Sequence, residues 1–395
     1  MKIFISHYSK LSLFMAFTCF AFVFSDTLAQ TDLNMDASYS RPFLEGERGK
    51  VAVGGYLEAN TLFSSEDGVS EGFSFQARRM TMFLASSISN RIKFLSEIEF
   101  EEGGHAINIE FAAMDIAISP AFNLRSGIIM NPIGAFNQNH DGPKWNFIER
   151  PDVAVNMLPA TWSNAGVGAY GRFHKSGWVI GYEAYFTNGF DSRIIDNEEG
   201  RTFLPASKKG GERFEESSNG SPLFTGKIAI KRRGLGEIGV SYMGGVYNTF
   251  ESDGVELDDA RRVDVFAVDF ANEIKSIGMK IISEAVLIKV DIEDGYAEQY
   301  GSKQRGAFVD VVKTIYKGDV LDWEGSEMNM SVRFDFVDWN IDMGDELMAI
   351  TPSVSFRPTP ETVLRVNYRY SWQEDVLNNP AALRAAWMFG FSTYF

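Results

Sequence analysis

The last twelve residues of the chain, 384–395, alternate large apolar with small or polar side chains and end on an aromatic. Trp387, Phe389, Phe391 and Phe395 share one parity, while Ala386, Gly390 and Ser392 share the other. Successive side chains of a strand point to opposite sides of its sheet, so parity is face, and the segment predicts a strand with one aromatic side. The same period returns along the chain. In 328–338, Met328, Met330, Val332, Phe334 and Phe336 interleave with Asn329, Ser331, Arg333 and Asp335. In 362–372, Leu364, Val366, Tyr368, Tyr370 and Trp372 oppose Arg365, Asn367, Arg369 and Ser371. Alternation sustained over about ten residues marks a strand with one polar and one apolar face.

Extended along the chain, the pattern predicts strands at 51–62, 73–86, 91–101, 107–118, 122–131, 165–173, 178–187 and 223–233. It continues with 236–249, 261–273, 278–291, 304–317, 327–338, 347–357, 361–373 and 384–395, about sixteen in all. A soluble sandwich has the same period, so the connections decide. Residues 89–90, 119–122, 174–177, 234–237 and 358–361 form tight turns, whereas 132–163, 188–221 and 251–260 are long. Structureless loops beyond about fifteen residues are uncommon in compact soluble domains. Short turns at one rim and long loops at the other fit an all-β, transmembrane antiparallel β-barrel. Closure also pairs the last strand, whose bare edge would invite aggregation in water. An even count puts both termini at the short-turn rim, and about sixteen strands leave a water-filled lumen.

Some positions resist the pattern. Pro352 lies inside an otherwise regular strand and predicts a bulge there, because it has no N–H to donate. Asp115 shares parity with Ile109 and Phe111, and one of Arg78 and Arg79 points outward unless the strand is bulged between them. Residues 278–291 alternate poorly.

The chain opens with Lys2 and Lys10, an apolar run at 11–24 and a small-residue stretch at 27–29. This is the pattern of a secretory signal peptide, its apolar run too short to span a bilayer. The alternative is an uncleaved anchoring helix. The expected organisation is a signal peptide at 1–29, a short extension at 30–50 and one barrel domain at 51–395 in the outer membrane of a Gram-negative bacterium. The single cysteine, Cys19, falls within the signal, which leaves the mature chain without a disulfide framework or a thiolate metal site. A net charge of −16 argues against nucleic acid as a partner.

Loop 132–163 is too apolar for a free surface loop, since Phe136, Trp145, Phe147, Met157, Leu158 and Trp162 all need cover. Folded into the barrel as its third loop, it would bury them against the inner wall and narrow the channel. Its Phe-Ile-Glu-Arg-Pro run at 147–151, the Leu-Pro-Ala-Thr-Trp run at 158–162 and the glycine-rich strand at 166–171 resemble the constriction region of the phosphate-selective porin O and P family. The resemblance covers the chain after residue 50. It implies a sixteen-stranded, trimeric outer-membrane porin embedded in lipid, with an inward-folded third loop and a C-terminal strand recognised by the barrel-assembly machinery at Phe395. Pore-constriction candidates are Phe136, Asn139, His140, Asp141, Lys144, Trp145, Glu149, Arg150 and Asp152.

The family's best-known members pass anions along lumenal cations. By parity the candidates here are Arg125, Lys227, Lys231, Arg333, Arg365 and Arg369, with Lys144 and Arg150 on the loop. A phosphate site needs several such cations converging to replace the ion's hydration. This chain departs from that picture: Asp141, Glu149 and Asp152 outnumber the loop's cations, and Glu97, Glu99, Glu110, Glu183 and Asp335 also read as lumenal. For each of these charges the plainer role is a solvated wall position or a cross-strand pair. The expectation is therefore passive diffusion of small ions and solutes, with phosphate or anion selectivity as the alternative and a structural or adhesive barrel as a more distant one.

Other classes find less support. His105, His140 and His174 have no metal-ligand spacing, and neither Gly-x-Ser-x-Gly nor His-Glu-x-x-His occurs, so no enzyme activity, metal or cofactor is expected. Asn139-His140-Asp141 offers a base and a carboxylate, but adjacent residues seldom orient one another. A substrate-gated transporter needs a plug domain, for which 30–50 is far too short.

Overall fold

The computed structural model describes residues 33–44, 49–210, 213–217, 219–293, 295–377 and 379–395. The expected signal peptide, with Cys19, lies outside them. Sixteen antiparallel strands close into one barrel. In chain order they begin β1 (Val51–Glu66), β2 (Val69–Ser87), β3 (Ile92–Glu101), β4 (Ala106–Ser119) and β5 (Phe122–Met130). Then follow β6 (Ser163–Lys175), β7 (Trp178–Thr187), β8 (Leu223–Arg232) and β9 (Gly236–Val246). A small hairpin, β10 (Glu251–Ser252) and β11 (Val255–Glu256), stands outside the barrel in the next loop. The wall resumes with β12 (Arg262–Ile274), β13 (Met279–Val290), β14 (Lys303–Val320) and β15 (Trp323–Asp338). It ends with β16 (Glu346–Thr359), β17 (Thr362–Gln373) and β18 (Ala382–Tyr394).

Closure is made by β18 against β1, with Phe391 opposite Ala59 and Trp387 opposite Phe63. Beyond the strand end, Phe395 exchanges both backbone hydrogen bonds with Gly55 at 3.0 Å. Both ends of the wall therefore lie at the rim of the short turns, and the first and last strands are each paired on both sides.

The parity reading holds on the outer face. Trp387, Phe389, Phe391, Leu364, Val366 and Met330 are exposed, while their neighbours Met388, Ser392, Arg365 and Asn367 are buried. A continuous apolar, aromatic exterior of this kind is the surface that lipid solvates. No helix among the described residues is long and apolar enough to cross a membrane.

Two of the irregular positions resolve into bulges. The register slips between Glu58 and Ala59 opposite Arg79 and Ala77, which leaves Arg78 as the extra residue and turns both arginines inward. A second slip between Glu97 and Ile98 leaves Glu110 as the extra residue of β4. Ile109 accordingly faces out while Phe111 and Asp115 face in. Pro352 is a correction. No bulge forms there: Pro352 pairs with Val332 of β15, and the β16–β17 pairs at Ile350 and Ser353 flank it in one register. A proline on the exposed face whose missing donor falls at that short gap leaves the ladder otherwise intact.

The weak alternation of 278–291 has a packing cause. Ile282, Val286, Ile288 and Val290 face the lumen and are buried, because an apolar core fills that side of the barrel. The core joins Phe136, Trp145, Met157, Leu158 and Trp162 of the third loop to Val263, Val265 and Phe308 of the wall. Phe190, Ile194, Ile195 and Leu204, from the loop between β7 and β8, complete it. The open lumen expected from strand count alone is thus partly filled.

Candidate functional site: the loop-spanned lumen

Residues 131–162 leave β5 and cross the lumen. Asn137 ties the base of the loop, its side-chain amide donating to the carbonyls of Asn131 and Trp162 at 2.7 and 2.9 Å while its oxygen accepts from Trp162 N–H. The backbone of 134–136 is held from the far wall. Glu284 of β13 accepts from the N–H groups of Ala135 and Phe136, and Lys227 of β8 donates to the Gly134 carbonyl at 2.6 Å. Gly134 has φ +64°, and a Cβ there would stand 2.3 Å from the Glu284 carboxylate, so the position needs glycine twice over.

The next stretch reaches the β1–β3 and β16–β18 walls. Arg365 donates to the Phe147 carbonyl at 2.7 Å, Asn367 accepts from Ile148 N–H, and Ser353 donates to the Asn146 carbonyl. Glu149 takes a two-pronged pair from Arg78, 2.7 and 2.8 Å, and its carbonyl accepts from Arg333. Burial opposes ionisation of Glu149, but the Arg78 guanidinium prevails and holds its carboxyl down at about 2. Asp152 pairs with Arg369 at 2.5 Å, and Thr161 meets Glu110 of β4. The loop is therefore pinned to wall strands around the circumference. Burying its two tryptophans and its phenylalanines adds about 1.5–3 kcal/mol each.

The six lumenal cations inferred from parity all face inward, and each stands beside a carboxylate. Arg125 pairs two-pronged with Asp115 and also donates to Tyr185. Lys227 meets Asp269 at 2.6 Å, Arg333 meets Asp310 at 2.6 Å, and Arg365 meets Glu58 at 2.8 Å. Arg369 reaches Asp152 and Asp335, and Lys231 lies 3.9 Å from Glu237. On the loop, Lys144 is 3.1 Å from Asp141 and Arg150 is 3.8 Å from Glu99. Burial disfavours charge on Asp141, yet Arg41 and Lys144 hold its carboxyl well below the usual range.

Of the remaining loop candidates, Trp145 packs against Phe136 with the rings tilted by 45° and their centres 4.9 Å apart, and donates to the Asn139 carbonyl. His140 sits fully buried between the Asn137 carbonyl at 2.8 Å and Glu97 at 3.3 Å. Glu97, His140 and Asp141 bring possible metal-ligand atoms within 4.8 Å of one another. The Arg41 guanidinium already occupies that place, 2.6 Å from Glu97 and 2.7 Å from Asp141. Parity could not reveal Arg41, which lies outside any strand. Nor could it pair Glu58 with Arg365 or Asp269 with Lys227, whose strands are far apart in sequence, or Glu284 with the loop backbone.

No family model matches the chain. An uncharacterized protein of Aquifex aeolicus (strain VF5) is 25% identical over 364 residues, 86% of this chain and 80% of that protein. Among solved structures, the anion-selective porin of Comamonas acidovorans superposes with a TM-score of 0.54 at 12% identity, covering 88% of this chain and 99% of that one. OmpF of Salmonella typhi gives 0.51 at 12% identity, over 88% of this chain and 98% of that chain. The outer-membrane channel DcaP of Acinetobacter baumannii gives 0.50 at 12%, over 88% and 100%. The chain has the barrel fold of outer-membrane porins. At these identities the likeness carries the fold alone.

Proposed function

We propose that the protein is an outer-membrane porin, a passive channel for small ions and solutes in a Gram-negative bacterium, constricted by the loop 132–163. The observation that carries this reading is the pairing of an apolar, lipid-suited exterior with a charged interior across which one loop is strapped. A wall built only for structure or adhesion has no need of charged side chains around its lumen. Where the loop nears the β1–β4 wall, the paired Arg78 and Glu149 keep part of their surface exposed, so both signs of charge meet solvent there. Trimer assembly, the barrel-assembly machinery as the partner that reads Phe395, and export by a signal peptide belong to the same reading.

Ion preference follows from the pairing of charges. An anion ladder needs cations free to take the place of an ion's hydration shell. Each of the six cations proposed for that role is engaged by a carboxylate within 4 Å, which favours weak selectivity over phosphate selectivity. Planar-bilayer recording tests both statements. Ohmic single-channel steps are expected, with a reversal potential in a salt gradient that changes little when phosphate replaces chloride. Absence of steps overturns the channel; block by phosphate overturns weak selectivity.

A further inference from the structure

Residues 33–44 lie inside the barrel mouth. Leu33 and Met35 are buried against Ala229, and the N–H of Asn34 donates to Glu237. Asp36 pairs with Arg172 at 2.6 Å, Ser38 donates to the Gln138 carbonyl at 2.6 Å, and the Ala37 carbonyl accepts from Lys144. Arg41 is the deepest anchor. Its guanidinium is fully buried, bonded to Glu97 and Asp141, and lies 3.9 Å over the Phe83 ring.

Two properties make this segment a removable occupant. First, among the described residues its backbone–backbone hydrogen bonds are internal, such as Asp36 to Leu33 and Tyr39 to Asp36. It leaves the lumen without breaking a rung of the barrel ladder. Second, it lies between two cavities at the short-turn end. One, of about 360 Å³, is lined by Asn34, Lys144, Trp145 and Lys280. The other, of about 700 Å³, is lined by Asp36, Tyr39, Arg41 and Arg125. Withdrawing the segment joins these spaces into one wider opening.

We propose that residues 33–44 form a short lumenal plug, latched by Arg41 onto Glu97 and Asp141, whose release widens the pore. This rests on the channel reading above. The latch is electrostatic and local: one guanidinium neutralises a carboxylate of the wall and one of the third loop, so its removal frees the segment and loosens the loop under it.

The test uses the full chain, folded into bilayers, as wild type, Arg41→Met and a deletion of 33–44. The variants are expected to show a severalfold larger single-channel conductance. Equal conductance in all three overturns the plug. No steps in any of them overturns the channel reading and the widening with it. A second measurement does not depend on conduction. With Cys19→Ser as background, Ser38→Cys places a thiol at a fully buried position and Ser252→Cys places a control on an exposed loop. A bulky maleimide is expected to label position 252 quickly and position 38 slowly, with Arg41→Met accelerating the latter severalfold. Equal labelling of both positions in the otherwise unaltered chain overturns the proposal.

Discussion

Arg365 of β17 reaches across β18 to Glu58 of β1 at 2.8 Å, and its other amino group donates to the Phe147 carbonyl of the third loop. One buried guanidinium thus joins the strands on both sides of the closure seam to the loop inside it. Replacing Arg365 with Met leaves Glu58 with Arg79 alone, 3.3 Å away, and takes from the Phe147 carbonyl its donor. A loss of the order of 3 kcal/mol is expected. The Glu58→Gln, Arg365→Met double variant should recover part of it, because no unpaired charge remains. Heat-dependent gel migration of the folded barrel measures both, and equal losses would contradict the coupling.

Acidification should loosen the loop at Glu149. Its carboxyl titrates at about 2 in the fold against an ordinary 4.5, held down by Arg78 in spite of burial. A depressed carboxylate contributes its stabilisation in full above the ordinary value and loses it as pH falls toward the folded one. Current noise in bilayers should therefore rise between about pH 4.5 and 2 in the wild type, whereas Glu149→Gln should be noisy already and lack that step. Identical pH profiles would refute the assignment.

Gly134→Ala is expected to free the loop from the far wall. The added methyl meets the Glu284 carboxylate at a position where φ is +64°, so the bonds to Ala135 and Phe136 are lost. A cost of about 1–3 kcal/mol is expected, read as faster hydrogen exchange over 134–148. Unchanged exchange there would show that Glu284 does not hold the loop.

Removing Phe395 deletes both of its bonds to Gly55 at the seam. Assembled protein in the membrane should fall sharply while the conductance of the surviving channels stays the same. Wild-type membrane levels would exclude an assembly role for this residue.

Pro352→Val should be nearly neutral, within about 0.5 kcal/mol, because the position is exposed and the ladder already runs past it without a bulge. A large stabilisation would mean that the missing donor had been costly after all.

Strand number, strand order and the two faces of the regular strands were legible in the sequence, because a period of two and the turn residues are local properties; the faces of 278–291 were not, because both carry apolar residues. So was the need of Phe136, Trp145 and Trp162 for cover, since apolar area must be hidden somewhere. The bulges at Arg78 and Glu110 were legible only as conflicts of parity, and Pro352 suggested a bulge that the register avoids.

By itself the sequence determined an even-stranded barrel with an aromatic exterior and a charged, loop-crossed interior. Only the tertiary structure decided what the interior charges do. Arg365 and Lys227, which parity places only on the lumenal face, stand against Glu58 and Asp269 of non-adjacent strands once the wall curves. It also brought Arg41 onto Glu97 and Asp141 across 56 and 100 residues. Electrostatic partners depend on distance in space, and barrel closure sets that distance from the pairing of all sixteen strands at once.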